Sequence, residues 1–261
     1  MTRPHMLIVA ASLALATTAF AAPATPAGAL AASNPFAQPS TLPFQYPAFD
    51  KIKDSHFRPA YEAGMRAQLG EIDAIANNAE APSFENTVVA MERSGQLLTR
   101  VATTFSALQG ANTNPALDAI DSAMSPKMAA HNDAIFLNAK LYQRVKALYD
   151  KRAELGLDAE SAYLLERYHK DFVRAGAQLS TADKDKLKKF NGQIASLQTK
   201  FTQNVLAEIN ASALVVNTRA ELDGMSDAQI SAAADAAKKR KLKGKFLSPW
   251  STPAASRRWH S

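Results

Sequence analysis

Residues 180–211 read STADKDKLKKFNGQIASLQTKFTQNVLAEINA, and this stretch decides the fold class. Its apolar side chains recur at alternating steps of three and four residues, the spacing of one face of an α-helix. They are Leu187, Phe190, Ile194, Leu197 and Phe201. Ser180 followed by Asp183 is typical of a helix N-terminus. We therefore predict a helix from about Ala182 to Ala211, and we expect its stripe to be buried between helices rather than to form a groove for a partner.

Similar signals lie on both sides of this helix. The stretch 57–78 has Pro59 suited to a first helical turn, and the stretch 82–110 begins with Ser83 as a candidate N-cap and contains Gly95 in its middle. Further predicted elements are helices at about 115–130, 132–155 and 159–176, a short strand at 213–217, and a helix capped by Ser226 that ends near Lys239. The sequence predicts a mainly α fold with one or two short strands and no repeating unit.

Composition excludes several kinds of chemistry. The chain has 261 residues and no cysteine, so disulfides, thiolate catalysis and cysteine-bound zinc are excluded. The formal net charge of +6 falls to +3 without Arg3, Arg257 and Arg258, which lie near the two ends. We therefore expect no nucleic-acid partner.

The first residues resemble an export signal. Arg3 precedes an apolar run, and Ala19-Phe20-Ala21 has the small-x-small pattern of a cleavage site. We predict a signal peptide at 1–21, a Pro/Ala-rich linker at 22–41, and a periplasmic protein with no membrane contact after cleavage. The alternative, a membrane-anchoring helix, is disfavoured because the apolar run is too short to span a bilayer.

No catalytic motif is visible. None of the five histidines belongs to an H-E-x-x-H pair, and the sequence has no G-x-S-x-G, Walker or G-x-G-x-x-G motif. Glu166 and His169 could share a helical face, which we interpret as an exposed ion pair rather than a metal site. We expect His56 and His131 to occupy helix caps or the surface. The lysine and arginine cluster at 238–245 is typical of cations at a helix C-terminus.

Several segments together resemble a known family. TLPFQYPAFDKIKDSHFRPAYEAG, FENT, AMERSG and DFVRAGAQLS, within residues 42–246, are similar to the N-terminal region of bacterial peptidyl-dipeptidases of the thimet-oligopeptidase family. The resemblance implies a mostly helical, two-lobed zinc peptidase in which these residues form a wall and lid of the substrate channel. In full-length relatives it implies an H-E-x-x-H helix with a downstream glutamate as zinc ligands, and release of C-terminal dipeptides from oligopeptides. We therefore expect no catalytic residue, no metal ligand and no cofactor in this chain, and substrate-binding residues stay unidentified.

Residues 247–261, LSPWSTPAASRRWHS, follow no helix or strand period. We predict a disordered, protease-sensitive tail of the kind that a frameshift or early termination would produce. The chain would then expose part of the apolar stripe of the helix at 182–211 and could self-associate through it. The alternative is a stand-alone exported helical protein that binds peptides or a partner without cleaving them. The DNA sequence beyond codon 246 distinguishes the two.

Overall fold

The computed structural model describes residues 30–248 and confirms the mainly α fold. None of the helices in this range is long and apolar enough to cross a membrane. Two short strands form an antiparallel sheet within it. A π-helix, Phe84–Val89, leads directly into the short α-helix Ala90–Arg93, and 3-10 turns occupy Pro43–Gln45 and Arg219–Leu222. In chain order the α-helices and strands are α1 (Asp54–Ala76), α2 (Ala90–Arg93), α3 (Gln96–Asn112), α4 (Pro115–Phe136), α5 (Ala139–Asp150), α6 (Ala159–Ala175), α7 (Thr181–Ala211), β1 (Leu214–Val216), α8 (Asp227–Lys239) and β2 (Phe246–Ser248).

Three serines that the sequence identifies as helix caps act as caps. The hydroxyl of Ser83 accepts a hydrogen bond from the Asn86 N–H at 3.1 Å, at the start of the π-helix. Ser180 and Ser226 do the same for α7 and α8, with donors at 3.2 and 3.3 Å. These bonds satisfy N–H groups that have no partner within the helix, which explains why the predicted starts of α7 and α8 are correct.

Gly95 interrupts what the sequence predicts as one helix. The chain turns at Ser94 and Gly95, and α3 begins after Gly95, which adopts a left-handed conformation with φ of 73°. Its N–H donates to Oε2 of Glu71 at 2.7 Å. A Cβ at this position would lie 2.4 Å from Nε2 of Gln68. Glycine is favoured here by its left-handed conformation, and a larger residue would also displace the side-chain amide of Gln68.

The boundary between α4 and α5 also differs from the prediction. The sequence predicts a break near 131, whereas α4 runs to Phe136 and α5 starts at Ala139. Asn138 caps α5 by accepting a hydrogen bond from the Leu141 N–H at 3.1 Å. The capping side chain determines the boundary, and apolar periodicity alone does not locate it.

Two clusters of buried apolar side chains share α1. The first half of α1 packs with α3 and α4, and the buried residues are Phe57, Ala60, Tyr61, Met65, Leu98, Val101, Phe105, Leu117 and Met124 together with Phe36. The second half packs with α5 and α6 in a cluster that includes Ile72, Ile75, Leu141, Val145, Leu165 and Phe172. Burying each large side chain of this kind contributes about 1.5–3 kcal/mol, so α1 is the central helix of the described fold.

The segment before α1 packs onto the helices. Phe36 is buried, and its ring centroid lies 5.3 Å from that of Phe57 in α1. The side-chain amide of Asn34 donates to the His56 carbonyl at 3.0 Å. This part of the predicted linker therefore contacts the first apolar cluster. The predicted signal peptide and residues 22–29 of the linker lie outside the described residues.

The last part of the described chain forms a small unit of its own. Strands β1 and β2 pair with Val215 opposite Leu247, and Leu247 is 5% exposed. A third apolar cluster beside them contains Val216, Leu222 and Ile230. Strand β2 thus includes Leu247 and Ser248, the first two residues of the predicted tail, and residues 249–261 lie outside the described range.

Candidate functional site

Residues 30–248 contain no group of three His, Cys, Asp or Glu side chains that could hold a metal ion. The described histidines are each engaged elsewhere. His56 lies in the first turn of α1, where its Nδ1 accepts a hydrogen bond from the Lys53 N–H at 3.0 Å. The prediction that His56 belongs to a helix cap is therefore confirmed.

His131 lies in the interior, and the prediction of a cap or surface position is wrong. It is buried in α4, and its Nε2 lies 2.7 Å from Oε1 of Gln68 in α1. Burial lowers the pKa of His131, because the charged imidazolium would lose its hydration. We infer that Nε2 carries the proton and donates a hydrogen bond to Oε1 of Gln68. The histidine thus links α1 to α4 as a neutral polar group, and no local sequence pattern marks such a contact.

Glu166 and His169 do not form the ion pair that their spacing suggests. Glu166 pairs with Lys170, one helical turn further along α6, and this lysine lowers the pKa of Glu166. The ring of His169 stacks on that of Tyr149 in α5, with centroids 3.9 Å apart and parallel planes. Burial lowers the pKa of His169. Because the two side chains have different partners, they offer no shared metal site.

The lysine and arginine cluster at 238–245 begins at the C-terminal end of α8, as the sequence predicts. Lys238 and Lys239 lie in the last turn of α8 and are exposed. Arg240 donates to the carbonyl oxygen of Asn210 at 2.6 Å and to its side-chain oxygen at 2.7 Å. Arg240 therefore satisfies a backbone acceptor in the last turn of α7, as cations near helix C-termini commonly do.

A pocket of about 540 Å³ lies between the segment 35–52 and α3. Arg100 lines it, and the Nε of Arg100 is buried without a hydrogen-bond partner. One Nη of Arg100 lies 3.5 Å from the Phe36 carbonyl oxygen. Sequence reasoning missed this pocket because its two walls are about fifty residues apart in the chain, and no motif connects them.

Helix α7 presents its apolar stripe to solvent. Phe190, Ile194, Leu197 and Phe201 are 59, 50, 66 and 70% exposed. The stripe continues towards the end of the helix with exposed Val205 and Ile209. The expectation that this stripe is helix–helix core is wrong for residues 30–248. The expectation that part of it would be exposed is confirmed.

The opposite face of α7 packs along α4 through short and polar side chains. The hydroxyls of Thr199 and Ser125 lie 2.6 Å apart, and the amide of Gln203 donates to the Asp118 carbonyl at 3.0 Å. The amide of Asn191 donates to Oδ1 of the buried Asp133 at 2.7 Å. Buried polar groups need such partners, so α4 selects the face of α7 that can satisfy them. The apolar face is left uncovered for this reason.

One border of the apolar stripe is basic. Helical spacing places Lys186, Lys189 and Lys200 along the same side of the stripe. Lys186 pairs with Asp183 at 3.1 Å, whereas Lys189 and Lys200 are exposed and have no ion-pair partner among residues 30–248. From Lys186 to Ala207 the helix has no acidic residue. We call Phe190, Ile194, Leu197 and Phe201, with this basic border, the α7 seam.

The α7 seam has the features of a surface that contacts another polypeptide. A contiguous apolar surface with a charged border is typical of a protein–protein contact. A row of side chains at alternating steps of three and four fits between the side chains of a second helix. Among the features of residues 30–248, this surface is the strongest candidate for a functional contact.

Comparison with known proteins gives two close relatives. The chain is 46% identical over 216 residues to a dipeptidyl carboxypeptidase of Escherichia coli (strain K12), an alignment that covers 83% of this chain and 32% of that protein. It is 43% identical over 217 residues to the dipeptidyl carboxypeptidase of Salmonella typhimurium, with the same coverage. It is 23% identical over 205 residues to an organellar oligopeptidase A of Arabidopsis thaliana, covering 78% of this chain and 25% of that protein.

The alignments cover only part of each relative. The chain spans about a third of the length of the dipeptidyl carboxypeptidases that it matches. No protein-family profile matches the sequence. The relationship therefore concerns one region of the relatives and does not by itself transfer their activity.

Proposed function

We propose, on the premise that this chain is a homologue of the dipeptidyl carboxypeptidases, that residues 42–246 form a non-catalytic helical portion of a zinc peptidase of this kind. On its own the chain hydrolyses no peptide. The observation that carries the proposal is the 46% identity over 83% of the chain, in a region that provides no cluster of metal ligands among residues 30–248.

The described residues do not fit the zinc ion that the resemblance implies. A catalytic zinc takes three protein ligands and one water molecule. His131 uses its Nε2 on Gln68, and His56 uses its Nδ1 on the Lys53 N–H. His169 is stacked on Tyr149. These histidines do not converge on one point, and we propose that zinc binds in the portion of the relatives outside the matched region.

The role that remains for this region is to shape the space in which oligopeptides bind. The relatives are named for acting on oligopeptides and for releasing dipeptides. A rigid helical wall positions and encloses a substrate without taking part in the chemistry. We propose that the helical body of this chain serves as such a wall in a complete enzyme.

The proposal includes export to the periplasm. Residues 1–21 have the charge, the apolar run and the Ala-Phe-Ala site of a signal peptide. N-terminal sequencing of protein from a periplasmic extract should give a start at Ala22. Recovery of a cytoplasmic protein with Met1 retained would contradict this part of the proposal.

A second candidate function is a stand-alone protein that binds a peptide or a partner without cleaving it. The observation that favours it is the α7 seam, whose four apolar residues are each at least half exposed. In that case the seam is a complete binding surface, and no catalytic portion is involved.

A chimera separates the two functions. The 216 aligned residues of this chain replace the matched region of the E. coli dipeptidyl carboxypeptidase, and release of a dipeptide from an N-blocked oligopeptide is measured by mass spectrometry. We expect the chimera to cleave, and we expect this chain alone, or the E. coli protein without its matched region, not to cleave. A chimera that folds and contains zinc but does not cleave would contradict the proposal, as would zinc-dependent cleavage by this chain alone.

A further inference from the structure

We infer that the α7 seam is the docking site for an amphipathic helix with an apolar stripe and an acidic border. The inference rests on the proposed function for the source of that helix, which is the portion of the dipeptidyl carboxypeptidases outside the matched region. It goes beyond that function by naming the contact surface and the chemistry of its partner.

The geometry of the seam favours a helix as the partner. Phe190, Ile194, Leu197 and Phe201 follow steps of four, three and four residues, which is the a/d spacing of helices that pack side by side. With Val205 and Ile209 the exposed stripe continues to the end of α7. From Phe190 to Ile209 this gives about 28 Å at a rise of 1.5 Å per residue. A partner helix of about three heptads would cover it, at about 31 Å.

The basic border of the α7 seam favours a partner helix with acidic side chains. Lys189 and Lys200 have no ion-pair partner among the described residues, and they lie on the same border as Lys186. In an antiparallel pair of α7 helices from two copies, these basic borders would face one another. In a parallel pair the basic border would face the other border of the stripe, where the exposed Gln198 is neutral. The α7 helix of a second copy therefore offers no acidic partner along this span, whereas glutamates or aspartates on a different helix would complement Lys189 and Lys200.

The lengths of the relatives indicate where such a helix resides. The match covers 83% of this chain but only 32% of the E. coli protein, so about two thirds of that protein lies outside the matched region. In the E. coli protein this remaining part belongs to the same polypeptide as the region that corresponds to α7. An apolar stripe left open by α4 has to be covered in a stable enzyme, because exposed apolar surface of this extent is unfavourable in water.

Two synthetic peptides test the charge and the geometry. Both have leucines at the a and d positions of about three heptads, one with glutamates and one with lysines at the flanking positions. Binding to the full chain is followed by fluorescence anisotropy at low and high salt. We expect the glutamate peptide to bind at least tenfold more tightly than the lysine peptide and to lose this advantage at high salt. Equal binding of both peptides, or no binding of either, would overturn the inference.

Substitutions locate the surface. We expect Phe190→Gln with Phe201→Gln to weaken binding of the glutamate peptide at least tenfold. The matched control is Tyr163→Gln, which removes an aromatic ring of similar exposure, 61%, from α6. We expect this control to leave binding unchanged. An equal loss in both variants, with unchanged circular dichroism, would place the contact elsewhere and overturn the inference.

The source of the helix is tested by co-expressing the full chain with the part of the E. coli protein outside the matched region. We expect co-purification that is lost with Phe190→Gln and Phe201→Gln and kept with Tyr163→Gln. If the covalent chimera cleaves peptides and the α7 variants neither reduce co-purification nor lower the thermal stability of the chimera, the docking inference fails and the proposed function stands. If the α7 seam binds this portion and the chimera is inactive, the proposed function fails and the docking inference stands. Dimers of the wild-type chain that these substitutions dissociate would identify a second copy as the occupant.

Discussion

Substitution of Gly95 by alanine should destabilise the protein, for two separate physical reasons. Gly95 adopts a φ of 73°, which costs an L-residue about 1–2 kcal/mol. The new Cβ would lie 2.4 Å from Nε2 and 2.9 Å from Oε1 of Gln68. The side-chain amide of Gln68 must therefore move away from its present position.

Movement of Gln68 has a second cost, because its Oε1 is the partner of His131 Nε2 at 2.7 Å. His131 is 4% exposed, and its Nδ1 already lacks a hydrogen bond. Leaving a buried polar atom unpaired costs about 1–3 kcal/mol. We expect Gly95→Ala to lower the free energy of unfolding by about 2–5 kcal/mol in total. At about 2–4 °C per kcal/mol for a domain of this size, Tm should fall by about 4–20 °C.

The control is Gly70→Ala on α1, where no atom lies within 4 Å of the new Cβ and φ is ordinary for a helix. This change should stabilise the protein by about 0.5–1 kcal/mol, because alanine is favoured over glycine inside a helix. Both variants are compared with the wild type by urea unfolding and by thermal melts followed by circular dichroism. If Gly95→Ala is as stable as Gly70→Ala, then neither the left-handed conformation nor the Gln68–His131 contact has the role described for it.

Three further predictions concern other parts of the structure. Because burial holds the pKa of His131 below its ordinary value of 6.5, the unfolded chain takes up a proton at a higher pH than the folded protein. The free energy of unfolding should therefore be highest above pH 6.5 and fall as the pH drops through the lowered pKa. The fall should be less steep in His131→Gln, with His169 accounting for the slope that remains. Urea unfolding between pH 5 and 8 measures this, and equal slopes would contradict it. Asn114→Ala should lower the free energy of unfolding, measured with urea, by about 1 kcal/mol, because the Asn114 side chain accepts hydrogen bonds from the N–H groups of Ala116 and Leu117 at 2.9 Å. An unchanged unfolding midpoint would show that the cap is dispensable. Phe201→Gln should change the unfolding free energy of the isolated chain by less than about 0.5 kcal/mol and reduce binding of a hydrophobic dye, because this ring is 70% exposed; a large loss of stability would mean that the ring is buried in solution.

Some features of this protein follow from local chemistry and were predictable from the sequence. The capping serines Ser180 and Ser226 satisfy backbone donors within their own first turns, so they mark the starts of α7 and α8 wherever those helices pack. The relationship to the dipeptidyl carboxypeptidases is likewise carried by residue identities along 83% of the chain. Neither feature depends on which helices and strands contact one another.

Other features depend on contacts between residues that are far apart in the chain. His131 appears in the sequence as an ordinary polar residue, and only the approach of α1 to α4 places Gln68 against its ring and removes it from water. Gly95 appears as a tolerable glycine within a helix, and only Glu71 and Gln68 of α1 show why the helix must turn there. The pocket beside Arg100 depends in the same way on the packing of residues 35–52 against α3.

Helix α7 shows most directly which features the sequence determines and which depend on tertiary packing. The periodicity of residues 180–211 determined that a helix forms and that one of its faces is apolar, because the spacing of side chains around a helix is a local property. Which face would be covered was decided by α4, whose Ser125, Asp133 and Asp118 carbonyl present polar groups that need polar partners. Burying unpaired polar groups costs more than leaving apolar side chains in contact with water, so the polar face of α7 turned inward and the α7 seam stayed open.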